Sequence, residues 1–187
     1  MTKSNKTLLI IGAIVVVLVL SVIGSYNGMV KSRVNVTTQQ SNIDTVLQRR
    51  ADLIPNIVST VKAYAKHETD IFTSISTSRA TMMGEGTTKD KLNADTKLTA
   101  GLGKLMAVAE AYPDLKANTQ FTALTTELEG SENRVSVARK NYNDAVGSYN
   151  TKIGTFPNNM MAGMFGFKQA ELFKATAGAN VVPKVTF

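Results

Sequence analysis

The sequence predicts an all-α protein: an antiparallel up-down four-helix bundle with long coiled-coil-like helices, preceded by one N-terminal transmembrane helix. Three observations carry this. A charge-free run of almost pure Leu, Ile and Val fills Leu8 to Ile23. Beyond it, apolar residues recur at helical spacings of three and four, and the alternation expected of strands is nearly absent. Toward the C-terminus, Phe121, Leu128, Val135, Tyr142, Tyr149 and Phe156 recur every seven residues, the period of helices packed at a shallow crossing angle.

Extended by its flanks to residues 7–26, the apolar run reaches the roughly 20 residues needed to cross a bilayer. Ser25 and Tyr26 suit its edge, where Tyr rings concentrate. A cleaved signal peptide is the rival reading, with Lys3 and Lys6 as its basic region. The run exceeds the usual signal core, however, and no A-x-A pattern follows it. Lipidation of a lipoprotein kind is excluded because the chain has 0 cysteines. The expected location is a membrane, crossed once. Lys3 and Lys6 before the span nearly balance Lys31 and Arg33 after it, so the positive-inside rule assigns neither side to the bundle.

The first bundle helix is expected from about Tyr26 to Arg50, weakened by the polar run Thr37 to Asn42. Asp52 suits an N-cap and Pro55 a first helical turn, which places a break near Ala51. A second helix then runs from about Leu53 to Met83, closed by Gly84-Glu85-Gly86. The third spans Thr88 to Tyr112 with Leu92, Leu98, Leu102, Leu105 and Ala109 inward. Gly101 and Gly103 each weaken it by roughly 1 kcal/mol, and Pro113-Asp114 closes it. The heptad helix, about 55 Å long at 1.5 Å per residue, carries Leu124, Ala138 and Ala145 on a second seam and ends at Gly154 and Pro157. The domains so drawn are a short flank (1–6), the transmembrane helix (7–26), the bundle (27–157) and a Met/Phe-rich tail (158–187), disordered from about Ala175. Two placements fit the tail, which carries Met160, Met161, Met164, Phe165, Phe167, Leu172 and Phe173. With Lys168 and Lys174 it can dock on the lipid interface, or it can fold back to cap the bundle.

The 187 residues carry a net charge of +7. Their positive charges are scattered along helices rather than clustered, and the absence of tryptophan, with the few other aromatics at core-like spacings, argues against a stacking surface for single-stranded nucleic acid. Nucleic acid is therefore not an expected partner. His67 is the lone histidine, which rules out a catalytic triad or a multi-histidine metal site within one chain. His67-Glu68 is at most a faint echo of a phosphotransfer bundle, and a plain helix-surface histidine is the simpler reading. Asn133 and Arg134 lie beside heptad positions and are expected to make buried or rim hydrogen bonds. Glu127, Glu129 and Glu132 are expected to form a solvated face. No phosphate loop, nucleophile elbow or pair of catalytic carboxylates is found. The chain is thus not expected to be an enzyme, and no cofactor, metal or small-molecule substrate is assigned. Arg49, Arg50, Asp52, Pro55 and Asn56 form the densest polar block. Helix capping and ion pairing explain it most simply. As a functional reading, Arg49, Arg50, Asp52 and Asn56 form a candidate interaction surface at the bundle end farthest from the membrane.

Several blocks carry a resemblance. They are Ser25-Tyr26-Asn27-Gly28-Met29-Val30; Arg49 to Val58 with Tyr64 to Glu68; Ala111 to Asn118; and Glu127 to Arg134. Tyr142-Asn143, Tyr149-Asn150, Phe156-Pro157-Asn158, Gly163 to Phe167 and Pro183 to Phe187 follow. In this order, over nearly the whole chain, they resemble the LemA family of bacterial proteins. The resemblance implies an N-terminal transmembrane helix and a soluble helical bundle, with no known activity. It also implies an amino terminus outside the cytoplasm, from which Lys3 and Lys6 depart. The expected role is a membrane-anchored interaction or scaffold module whose partners are the bilayer, other membrane proteins or further copies of itself. The alternative is a membrane-tethered ligand-sensing bundle.

Overall fold

The computed structural model describes residues 3–173. The expected disorder from about Ala175 lies outside them, as do Lys174 and the block from Pro183 to Phe187. Every regular element among the described residues is helical: α1 Lys3–Lys62, α2 Thr69–Met83, α3 Thr88–Ala109, α4 Pro113–Lys116, α5 Thr119–Gly154 and α6 Asn158–Met164. The chain sorts into two compact units. One is drawn from Met1–Val36 and Asn143–Phe187, the other from Thr37–Tyr142.

In the unit Thr37–Tyr142, the later part of α1, all of α2, α3 and α4, and the first part of α5 share an apolar interior. Ile43, Leu47, Ile54, Ile57 and Val61 of α1 are buried with Phe72, Ile75 and Met82 of α2. Leu92, Leu98 and Leu105 of α3 and Phe121, Leu128 and Val135 of α5 are buried as well. These rows follow the helical stripe read in the sequence, and their burial is the main favourable term for helices of this length.

The expected break near Ala51 does not occur. α1 continues through Pro55 to Lys62, so Asp52 is an exposed mid-helix residue and not an N-cap. Proline inside a helix removes one N–H and leaves the carbonyl four residues earlier without its donor. Here that carbonyl belongs to Ala51, and Arg79 of α2 donates to it from Nε at 2.8 Å. A side chain from a neighbouring helix thus supplies the bond that Pro55 withholds. The run Thr37 to Asn42 is likewise helical throughout. Ser41 and Thr45 tuck their hydroxyls back onto the carbonyls of Thr37 and Ser41.

The chain turns instead at residues 63–68. There the amides of Tyr64 and Ala65 both reach the Val61 carbonyl, at 3.0 and 2.9 Å, and Ala65 is fully buried. No glycine or proline marks this site; packing of Val61, Ala65 and Phe72 overrides the local helical pattern. Further along, Thr87 and Asp90 form a capping box at the start of α3. The Thr87 hydroxyl and amide hold the Asp90 carboxyl below its ordinary range. That contribution to stability is present above the usual aspartate range and is lost as pH falls through the lowered value. Asn118 caps α5, its side-chain oxygen accepting from the amides of Gln120 and Phe121.

The two central glycines of α3 differ in role. A Cβ on Gly101 would lie 2.9 Å from Cγ1 of the buried Ile75, whereas nothing stands within 4 Å of one on Gly103. Gly103→Ala is expected to stabilise the fold by roughly 0.5–1 kcal/mol through helix propensity. Gly101→Ala is expected to lose about 1 kcal/mol net, because overpacking against Ile75 outweighs that gain. Urea titration of the two variants checks the opposite signs.

In the other unit, Leu8 to Ile23 present apolar side chains on every face. Leu8 is 66%, Val15 52% and Leu20 62% exposed. This is one helical stretch long and apolar enough to cross a membrane, by length and composition. Following it, Met29 and Val36 are buried with Ala145, Val146, Tyr149 and Ile153 of α5. The last heptad position fails: α5 stops at Gly154, so Phe156 lies off the helix and is 79% exposed.

The tail folds back along α5. Asn150 accepts from the Ala170 amide at 2.9 Å and donates to the Ala170 carbonyl at 2.8 Å. Asn143 makes the same pair with Phe173, at 2.9 and 2.8 Å, and the Tyr149 hydroxyl donates to the Lys168 carbonyl. The geometry explains the seven-residue spacing of these asparagines. Two helical turns rise about 10.5 Å, and three extended residues rise about 10 Å. The two asparagines therefore meet tail residues three apart, Ala170 and Phe173. Asn150→Ala is expected to speed hydrogen exchange at the Ala170 amide on the order of tenfold, which mass-resolved exchange of the tail peptide measures.

Candidate functional site

The polar block singled out in the sequence lies on α1, where alternate faces separate its members. Arg49, Asp52 and Asn56 are exposed, whereas Arg50 is only 2% exposed. Arg50 is therefore not a surface residue. Its position beside Leu47, Ala51 and Ile54 on the inward stripe carries it into the interior, where a charge must find partners.

Those partners come from α3 and α5. Arg50 donates from Nη1 to Oδ1 of Asp95 at 2.6 Å and from Nη2 to the Thr99 hydroxyl at 3.0 Å. It also pairs with Glu132. Arg139 of α5 takes the other Asp95 oxygen at 2.5 Å. Thr99 completes the ring by donating to Glu132 at 2.9 Å. Asp95 is fully buried, so both its oxygens are held by guanidinium groups and neither faces solvent. Burial pushes its carboxyl above the ordinary range, opposed by Arg50 and Arg139 and assisted by Glu132. The Nε of Arg50 is buried without a hydrogen-bond partner. Glu132, expected on a solvated face with Glu127 and Glu129, instead turns toward this network. Sequence reasoning missed Asp95 altogether. The available signal was an aspartate on the apolar stripe of α3, between Leu92 and Leu98.

The network suits fixing the register of α1, α3 and α5 rather than chemistry. Asp95 has no free oxygen to act as a base. Glu132 is engaged twice, by Arg50 and by Thr99. Outside the network, Arg49 pairs with Glu127 at 3.3 Å with both side chains largely in solvent. Lys91 meets Asp44 at 3.0 Å. His67 is exposed in the turn between α1 and α2, not on a helix. Asn133 and Arg134 are exposed, at the rim of the two placements expected and not in the interior. With Gln39, Asn42, Val46 and Val137 they line a shallow groove of about 280 Å³. Among the described residues no group of three or more His, Cys, Asp or Glu is placed to hold a metal ion.

Residues 39–187 match the model of the LemA family. The chain belongs to the LemA family. It is similar to two magnetosome proteins, MamQ 1 and MamQ 2, of Paramagnetospirillum magneticum. Each is 30% identical over 87% of this chain and 72% of the relative. It is also similar to Protein LemA of Metamycoplasma hominis, at 24% identity over 82% of this chain and 71% of the relative. The matched LemA region contains Arg50, Asp95, Glu132 and Arg139 as well as the asparagine pair that holds the tail.

Proposed function

We propose that this LemA-family chain is a membrane-tethered, non-enzymatic interaction module. In this reading Leu8 to Ile23 crosses a bacterial cell membrane once, and Thr37–Tyr142 is an antiparallel four-helix bundle that docks other membrane proteins or further copies of the chain. The observation that carries it is the apolar stretch exposed on every face within the same continuous helix that supplies Arg49, Asp52 and Asn56. A helix that is apolar all round needs a nonpolar solvent. The bundle assignment is supported by the contacts already described, in which α1 meets α2, α3 and α5, and α3 meets α5.

Arg49, Asp52 and Asn56 lie at i, i+3 and i+7 on the outward face of α1. The Arg49–Glu127 pair is exposed on both sides, and such pairs contribute little, about 0–1 kcal/mol. A partner carboxylate can therefore take Arg49 at small cost. A photoreactive residue at Asn56 in living cells tests this. Discrete adducts that disappear with Arg49→Ala, and that are not formed from Lys104, are the expected result. Equal adduct patterns from both positions, or none from Asn56, overturn the assignment of this face.

A further inference from the structure

We infer that α6 and the residues flanking it form a collar that lies in the lipid interface beside the point where α1 leaves the membrane. This rests on the reading of Leu8 to Ile23 as a membrane span and adds a second lipid contact to it. Phe156 is 79%, Met160 65%, Met164 81% and Phe165 48% exposed. Large apolar side chains so close together are seldom left to water without a partner.

The occupant follows from continuity with the span. Tyr26 lies three residues beyond Ile23, about 4.5 Å further along the helix, at the depth where tyrosine rings anchor. The Tyr26 ring meets Phe165 edge-on at 5.0 Å and Phe167 at 5.8 Å. Arg33 lies over the far partner, 5.1 Å from the Phe167 ring centre. These contacts hold the end of α6 at the level of Tyr26. The element is also two-sided about its own axis. Ala162 is buried against the protein. Met160 and Met164, four residues apart, share the outward side with Asn159 and Gly163. Exposed methionines on one side and a buried alanine on the other suit a helix lying along an interface, not one crossing it. Exposed Lys168 and Lys31 on the flanks suit anionic headgroups.

The chain has 0 cysteines, so single-cysteine spin labels report without background. Full-length protein is reconstituted at low density in vesicles of phosphatidylethanolamine and phosphatidylglycerol. Labels at Met160→Cys, Met164→Cys, Val16→Cys and Ser76→Cys are compared for collision with oxygen and with a water-soluble nickel chelate. The expected result is preferential oxygen collision at Val16, at Met160 and at Met164. The last two should sit shallower, about 5–10 Å below the headgroups, with Ser76 fully in water. Val16 in lipid with Met160 and Met164 matching Ser76 overturns the collar and leaves the span intact. Val16 matching Ser76 overturns the span and the collar together. Spin–spin broadening at Met164, with both collision partners excluded, would assign the face to a second copy of the chain and also overturns the lipid collar.

Discussion

Asp95→Ala is expected to destabilise the fold by about 3–5 kcal/mol, the usual loss when one partner is removed from a buried ion pair. The carboxylate is fully buried, and it is the group that two arginines share. Without it Arg50, itself 2% exposed, keeps Glu132 and Thr99 but loses its shortest buried partner. A loss of this size is a large part of the roughly 5–15 kcal/mol that holds a typical domain together. The same geometry predicts that the Arg50–Asp95 pair is replaceable in part. Burial raises the Asp95 carboxyl despite its two arginines, so the ionised form sits in the interior at a cost. Replacing Arg50 and Asp95 together by Met and Leu is expected to recover part of the loss, because the desolvation of those two charges disappears with them while Arg139 still loses its bond to Asp95. Denaturant titration of the single and double variants measures this. The pH dependence has a definite sign. A folded-state carboxyl raised above its unfolded value binds its proton more readily when native. Its contribution is full below the ordinary aspartate range and falls as pH climbs through the raised value. Asp95→Asn should remove that slope.

Arg79→Ala is expected to cost about 1–3 kcal/mol, the penalty for leaving a partly buried carbonyl unsatisfied. The acceptor is the Ala51 carbonyl, which Pro55 deprives of its helical donor. The effect should depend on the proline. Pro55→Ala restores an N–H in register with Ala51, so in that background Arg79→Ala should cost little. A double-mutant cycle with a coupling near 1 kcal/mol or more is the expected result. Additive losses would show that Arg79 acts through its other contacts.

These two features mark where sequence reasoning stopped. The helical class was legible because the apolar period is strong from Ile43 to Val61 and from Phe121 to Val135, and those residues are buried. The start of α3 was legible because Gly84 to Gly86 mark a local break before it, while the Thr87–Asp90 capping box that fixes it was not read. The end of α1 was not legible. Asp52 and Pro55 together form a sound local start signal, and only a side chain from α2, far along the chain, cancels it. Residues 63–68 carry no turn residue at all, so their turn is a product of packing. The candidate face was half legible. Arg49 and Arg50 are neighbours in sequence, but the 100° between successive helical residues sends one to solvent and the other to Asp95. The asparagines at 143 and 150 entered only among the blocks that resemble the LemA family. Their role needed the tail backbone beside them.

Leu8 to Ile23 is proposed to hold this protein in a lipid bilayer. The most direct test is an intact-mass measurement on the chain recovered from alkali-washed cell membranes. The expected result is that the chain remains with the washed membranes and that its mass includes the whole apolar segment. A mass lacking that segment, or recovery of the protein in the wash, would contradict it.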